Sequence, residues 1–203
     1  MSDNNTQITT EDARQAAHKL TQYLNDQGYV PSGFYPYTDK EGIPLFWRIR
    51  LDHPTKGKWI RPLSFNGSEW ILEEPKFPKG GKPLYRLHEI VSRPNETVWI
   101  VEGEKCADAL AELGLLATTS GSVTSAEGAD WSELFGRKAI IWQDNDDPGL
   151  KYAKEVTRQL LPLNCDIKWV DISKLGWSDA ADAADAVDWL LSYPDATKRS
   201  EER

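Results

Sequence analysis

Lys138-Ala139-Ile140-Ile141-Trp142-Gln143-Asp144-Asn145-Asp146-Asp147-Pro148-Gly149 runs from an apolar, β-branched stretch straight into a cluster of acids and then into a Pro-Gly pair. The apolar part suits a strand buried on both faces, and the Asp-Pro-Gly that follows opens a helix, because proline is tolerated in a first turn. The same arrangement occurs earlier. Thr97-Val98-Trp99-Ile100-Val101 predicts a strand, Glu102-Gly103-Glu104 follows it, and Cys106, Ala107, Leu110 and Leu113 recur at helical spacing before Gly114 closes the element. Around these two units the pattern predicts strands over 115–118 and 166–170, a helical turn over 130–134, a helix over 147–161 and a last amphipathic helix over 179–191. Strand and helix in alternation specify an α/β fold, a mostly parallel sheet flanked by helices.

Towards the N-terminus the period changes. Residues 10–24 predict an amphipathic helix capped by Thr9 or Thr10, with Ala13, Ala16, Ala17, Leu20 and Leu24 on one stripe. From Phe34 to Arg61 the apolar residues alternate, as in Leu45-Phe46-Trp47-Arg48-Ile49-Arg50-Leu51, and Asp39-Lys40-Glu41-Gly42 has the composition of a hairpin turn. A small antiparallel sheet over 34–75 is expected, then a Pro-, Lys- and Gly-rich loop over 73–82. The organisation read from the sequence is an N-terminal tail and helix (1–33), a basic, aromatic-rich β region (34–93), the α/β domain (94–192) and a charged tail (193–203).

The net charge of −8 over 203 residues conceals an uneven distribution. Segment 1–39 carries −3, segment 40–93 carries +5 and segment 94–203 carries −10. A basic module joined to a carboxylate-rich one suits a protein that grips phosphates and holds cations near them, although both excesses are also compatible with solvated surface. Two cysteines and three scattered histidines exclude a disulfide framework and a Cys-based zinc ribbon. No stretch approaches the roughly 20 apolar residues of a membrane span, and the first residues lack a basic segment followed by an apolar one. The expected setting is the cytoplasm, with no membrane partner.

Open parallel sheets place ligands at the carboxyl ends of their strands. Glu102 stands at one such end, and Asp144 and Asp146 at another. Carboxylates gathered there repel one another unless a cation lies between them, and Mg²⁺, which takes a few carboxylates together with waters and phosphate oxygens, is the economical choice. Asp179 and Asp182 add a further acidic cluster. Each of these has a simpler reading. Acids before Pro148 cap a helix, Asp147 being the first candidate, and Asp179 and Asp182 sit equally well at a helix start. Glu104 and Lys105 are either site residues or an exposed first turn. Thr118-Thr119-Ser120-Gly121-Ser122 offers backbone N–H groups to a phosphate or is an ordinary loop. In the basic region Trp47, Trp59 and Trp70 interleave with Arg48, Arg50, Lys56, Lys58 and Arg61, a mixture used to stack bases and contact a strand backbone. Core packing is the expectation for the tryptophans, and nucleic-acid contact for the arginines.

The phrases Val98-Trp99-Ile100-Val101-Glu102-Gly103 and Ile140-Ile141-Trp142-Gln143-Asp144-Asn145-Asp146, each followed by a helix, resemble the toprim domain shared by topoisomerases, DnaG-type primases and some nucleases. With Pro83-Leu84-Tyr85-Arg86-Leu87, they are similar to the toprim segment of primases and primase-helicases of phages, plasmids and integrated elements. The resemblance covers about half the chain, from Thr97 to Asp188. It implies a toprim-like fold and a metal-dependent DNA primase acting in DNA replication. Glu102 would then serve in acid/base work or metal binding, Asp144 and Asp146 would hold Mg²⁺ or Mn²⁺, and Asp179 and Asp182 would lie near the metals. The implied partners are nucleotides and a single-stranded DNA template, contacted through Arg48, Arg50, Lys58, Arg61 and Lys105, and a separate or fused helicase. The sequence has no zinc-binding template module and no Gly-x-x-x-x-Gly-Lys-Ser/Thr motor loop, which suggests a fragment of a larger replication protein or a small protein with separate partners. A toprim nuclease and a noncatalytic nucleic-acid-binding module are the alternatives.

Overall fold

The computed structural model describes residues 9–77, 81–175 and 185–192, and the chain divides between Lys76 and Phe77 into two compact units. The first unit contains helix α1 (Thr10–Asn25) and strands β1 (Val30–Thr38), β2 (Pro44–His53), β3 (Gly57–Phe65) and β4 (Trp70–Ile71), in an antiparallel sheet of order β1-β2-β3-β4. Helix α1 starts where it does because Thr9 and Asp12 cap reciprocally. The Thr9 hydroxyl accepts the Asp12 N–H at 3.1 Å and the Asp12 carboxylate accepts the Thr9 N–H at 3.0 Å. Ala13, Ala17 and Leu24 of the helix are buried in one cluster with Trp47, Ile49, Leu51 and Leu63 of the sheet. At the predicted hairpin the Asp39 carboxylate accepts the N–H groups of Glu41 and Ile43, and Gly42 takes the left-handed conformation (φ 86°) that the turn requires.

The second unit contains α2 (Leu87–Ser92), β5 (Val98–Ile100), α3 (Glu104–Glu112), β6 (Leu116–Thr118), β7 (Lys138–Ile141), α4 (Asp147–Leu160), β8 (Asp166–Trp169) and α5 (Ala186–Ser192). Its four strands are all parallel, in the order β6-β5-β7-β8. The expected α/β architecture is therefore present, with an antiparallel sheet and an N-terminal helix before it. The turn expected over 130–134 is a single 3₁₀ turn, Ser132–Leu134. Tyr152, Ala153, Val156 and Leu160 give α4 one wholly buried face, packed in the core with Val98, Ile100, Leu116 and Ile141 of the strands. Of the last helix, expected over 179–191, residues 186–192 are helical and 176–184 lie outside the described residues.

Residues 81–93, grouped by composition with the basic β region, cluster with the parallel sheet. Lys82 bridges Ala129, its N–H donating to the Gly128 carbonyl at 2.9 Å, and the Tyr85 N–H reaches the Thr119 carbonyl at 3.0 Å. Leu84 and Ile90 are wholly buried in that core. The basic residues between these apolar ones masked their allegiance. The buried Arg137 guanidinium then ties α2 down by donating to the carbonyls of Ile90, Arg93 and Glu96 at 2.8, 2.6 and 2.9 Å. Among the described residues no helix is long and apolar enough to cross a membrane.

Candidate active site at the parallel-sheet rim

Strand β5 connects through α3 to β6 on one side of it, whereas the neighbouring β7 connects through α4 to β8 on the other. The two chain paths diverge between β5 and β7, which makes this pair the topological switch point, where an open parallel sheet leaves a crevice at its carboxyl edge. The strands end level. Ile100 pairs with Ile141, and the Trp142 N–H donates to the Ile100 carbonyl at 2.9 Å. Glu102 is two residues beyond the Ile100 pair, and Asp144 is three beyond the Ile141 pair. With neighbouring strands about 4.8 Å apart, the acids predicted from sequence emerge from adjacent strands at one rim.

Glu102 is anchored through its backbone. Its carbonyl accepts the Thr119 hydroxyl at 2.7 Å, and beneath Thr119 lies the wholly buried Tyr152. The Tyr152 hydroxyl accepts the Ser120 N–H at 3.2 Å and lies 3.1 Å from Ser120 Oγ and 3.4 Å from Thr119 Oγ1. Burial pushes the Tyr152 phenol well above its usual pKa; the hydrogen bonds from Ser120 and Thr119 oppose this and the Glu102 charge adds to it. The Thr119–Ser122 segment is thus a strut under Glu102. Thr119 and Ser120 have no exposure, the Gly121 N–H is taken by Thr119 Oγ1 at 2.9 Å and the Ser122 N–H by Ser125 Oγ at 2.8 Å. These N–H groups serve the loop's own fold, so of its two readings the structure gives the ordinary loop.

Asp144 and Asp146 are placed by the start of α4. Asp146 is extended (φ −150°, ψ 172°) and is the N-cap, its Oδ1 accepting the Gly149 N–H at 2.6 Å. Asp147, the first candidate for that cap in the sequence, is instead the first residue of the helix. Gly149 packs against the preceding acid so closely that a Cβ there would lie 2.5 Å from the Asp144 carbonyl oxygen and 2.9 Å from its nitrogen. The glycine in Pro148-Gly149 is what lets the helix start lie against the Asp144 backbone.

Among the described residues no three Asp, Glu, His or Cys side chains gather closely enough to hold a metal by themselves. Asp179 and Asp182 lie outside the described residues. A contributor that the sequence reading passed over is Asp185. It caps α5, its Oδ1 accepting the N–H groups of Val187 and Asp188 at 2.8 and 3.0 Å, and Asp188 returns a bond to the Asp185 N–H. The Asp185-x-x-Asp188 spacing ahead of an apolar run was a legible capping signal. Asp185 also acts on the buried Cys106 thiol. Burial, followed by the charges of Asp185 and Asp144, pushes that thiol well above its ordinary pKa. Helix α5 is held at this rim by tryptophans, Trp189 lying 5.7 Å from Trp142, which lies 6.2 Å from Trp99.

Of the α3 pair, Glu104 is buried and Lys105 exposed. Close by, burial and the Asp108 carboxylate push the Tyr85 phenol upward, its hydroxyl donating to Asp108 at 3.0 Å. Arg86 reaches the same carboxylate at 2.9 Å and Glu89 at 2.8 Å, from a left-handed backbone (φ 58°). No sequence period marks this network, because its members meet only through tertiary packing.

In the first unit, the cations proposed to contact a strand divide between two faces. Strand register places Arg48, Arg50 and Lys58 on one side of the sheet, whereas Arg61 lies opposite Ile49 on the side that α1 covers, its guanidinium 5.7 Å from the Trp59 ring centre. Arg50 pairs with Asp52 at 3.0 Å. Trp47 is a core residue, as expected, and Trp70 packs 5.5 Å from it.

No protein-family model matches the chain, and no curated protein matches it. Two solved structures are similar. A DNA primase domain from Pseudomonas aeruginosa aligns with a TM-score of 0.52 and 18% identity over 91% of this chain and 59% of its own. The Aquifex aeolicus primase, comprising zinc-binding and RNA polymerase domains, aligns with a TM-score of 0.52 and 16% identity over 96% of this chain and 49% of its own. The chain thus spans between half and three fifths of those proteins, and its fold is primase-like.

Proposed function

We propose that the chain is a toprim-type, primase-like nucleotidyltransferase of the kind carried by mobile elements, joining nucleotides on a single-stranded template with Mg²⁺ or Mn²⁺. The observation that carries this reading is the pair of acid-tipped strands, β5 and β7, on either side of the topological switch point. The likeness in fold to the two primases supports it.

The donor set suits a hard, oxygen-seeking ion. Asp144 and Asp146 offer carboxylate oxygens with Glu102 on the adjacent strand. Mg²⁺ takes one or two carboxylates and fills its shell with water and substrate phosphates, so it does not require a closed cage of side chains. When bound, the ion supplies charge neutralisation on nucleotide phosphates in an in-line phosphoryl transfer. The chain's own part is positional. Thr119 and Tyr152 fix the Glu102 backbone, Gly149 admits the close packing that fixes Asp144, and Lys105 stands exposed near the rim as a cation for the incoming strand. The basic face of β2 and β3 that carries Arg48, Arg50 and Lys58 contributes to template binding, and the motor that opens the duplex belongs to a separate or fused helicase.

The test is incubation with single-stranded DNA, labelled nucleotides and Mg²⁺ or Mn²⁺, with product and template both sized. Labelled oligonucleotides that vanish with Glu102→Gln or Asp144→Asn, in variants that keep the wild-type circular dichroism, are the expected result. Shortened template without incorporation would make the protein a nuclease. Strand binding without turnover under either metal would leave a binding module.

A further inference from the structure

Within the first unit, a cavity of about 380 Å³ opens between α1 and the adjoining face of β1 and β2. It exists because the elements fail to fill the space between them. Ala17 gives the helix a small side chain there, and the pairing of β1 with β2 slips between Pro31 and Gly33. The floor is apolar, with the buried Ala17, Ile49 and Leu51. The remaining lining includes Phe34 and the polar side chains of Arg14, His18 and Ser32. Arg14 stacks on Phe34, its guanidinium carbon 4.6 Å from the ring centre, and among the described residues no carboxylate pairs with it. A planar guanidinium held against a ring keeps its N–H edges for another partner, and the geometry of those edges matches a phosphate.

We propose that this cavity binds one nucleotide, its base against the Ala17, Ile49 and Leu51 floor and its phosphate on Arg14 with His18. The volume lies near the bottom of the roughly 300–1,000 Å³ range of small-ligand sites, which suits one nucleotide better than two. An apolar floor and a cationic rim together select a flat ring that carries an anion. The choice of a nucleotide among such molecules rests on the nucleic-acid reading above. The site is built wholly from residues of the first unit and needs none of the carboxylates of the acidic rim. The nucleotide is either a free monophosphate or the 5′-phosphorylated end of a single strand, and both present the same ring and phosphate.

The experiment is an NMR titration of the full-length, isotopically labelled chain with adenosine monophosphate, a 5′-phosphorylated oligonucleotide, adenosine and inorganic phosphate in separate arms. Saturable shifts at Thr21, Gly33 and Phe34 are expected with the monophosphate or the oligonucleotide, and whichever binds identifies the source. Combined Arg14→Ala and His18→Ala substitution weakens that binding about tenfold or more, the effect of losing a charge-assisted contact. Ala17→Leu fills the floor and abolishes it. Should that variant fail to fold, Ser32→Trp obstructs the cavity from an exposed position. Shifts reproduced in full by inorganic phosphate, binding unchanged in the variants, or no shifts at millimolar nucleotide would each overturn the proposal. Asp144→Asn separates the two readings. Nucleotide shifts that it removes, while the Arg14 and His18 changes do not, belong to the rim and defeat only the cavity. Cavity binding in a chain that makes no product on a template defeats only the enzyme.

Discussion

Replacing Gly149 by alanine sets two opposing effects against one another. Helix propensity alone favours the change, since alanine is better than glycine inside a helix by about 1 kcal/mol. The structure says the opposite. A Cβ at this position meets the Asp144 carbonyl oxygen at 2.5 Å, its nitrogen at 2.9 Å and its carbonyl carbon at 3.0 Å. All three are backbone atoms and cannot rotate away, so α4 or the Asp144 peptide must retreat by about 0.9 Å to restore a 3.4 Å contact. Overpacking of this kind costs about 1–3 kcal/mol. The same movement stretches the 2.6 Å bond from the Gly149 N–H to Asp146, a cap worth about 1 kcal/mol. The expected result is a net loss of about 1–3 kcal/mol after the propensity gain, read as a lower urea midpoint with an unchanged m-value. Gly103 provides the control. It is the N-cap of α3 with nothing within 4 Å of its Cβ position, so Gly103→Ala costs no more than the cap preference, under about 1 kcal/mol. Because the movement displaces Asp144, the proposed templated synthesis should fall further in Gly149→Ala than lost stability explains. A Gly149→Ala protein more stable than wild type would refute the close approach and its role in placing the acid.

Three other substitutions probe separate parts of the argument. Asp146→Ser keeps a good N-cap while removing the charge, so stability should stay within about 0.5 kcal/mol while the proposed metal-dependent turnover is lost; retained turnover would show Asp146 to be a cap alone. Arg137→Met removes the donors to the carbonyls of Ile90, Arg93 and Glu96 and leaves acceptors unsatisfied at the end of α2, for a loss of about 3 kcal/mol or more in chemical denaturation; a loss below about 1 kcal/mol would mean that water replaces the guanidinium. The side-chain and backbone hydrogen bonds from Thr9 hold the Asp12 carboxyl below its ordinary pKa, so its contribution is complete above the ordinary value and disappears as pH falls through the depressed one. In Thr9→Ala the Asp12 titration followed by NMR should move up towards the ordinary carboxylate value, and an unmoved titration would count against the reciprocal cap.

Strand ends were legible in the sequence because burial on both faces demands an unbroken apolar run, and the acid that ends such a run is conspicuous. Ile140-Ile141-Trp142 before Asp144, and Trp99-Ile100-Val101 before Glu102, marked their strands to within a residue or two of the observed ends. The N-terminal helix was legible for a different reason, since Thr9 and Asp12 stand at capping-box spacing ahead of a clean alanine and leucine stripe. What stayed hidden depends on contacts distant along the chain. Leu84 and Ile90 were grouped by composition with the basic β region, yet they lie in the core of the parallel-sheet unit, because the basic residues around them carried a composition signal that pointed elsewhere. Tyr152 carries no signal of its own within the helix predicted over 147–161, and its hydroxyl gains meaning only when Thr119 and Ser120 are brought against it.

Strand order is the feature that alternation cannot encode, and the candidate site depends on it. A sequence of strand, helix and strand says that the sheet is parallel, but β5 and β7 are neighbours only because β6 was laid on the far side of β5. Had the strands been added in sequence order, β6 would separate the acid of β5 from those of β7 by two strand spacings, about 10 Å, too far for one ion to serve both. In the observed order they occupy adjacent strand ends, and the connections leave in opposite directions, clearing the space above them. The acids are therefore informative in proportion to the topology. Glu102 alone is a residue after a strand and Asp146 alone is a helix cap, and it is the divergence of the connections that leave the parallel strands β5 and β7 that gives the two positions a common crevice.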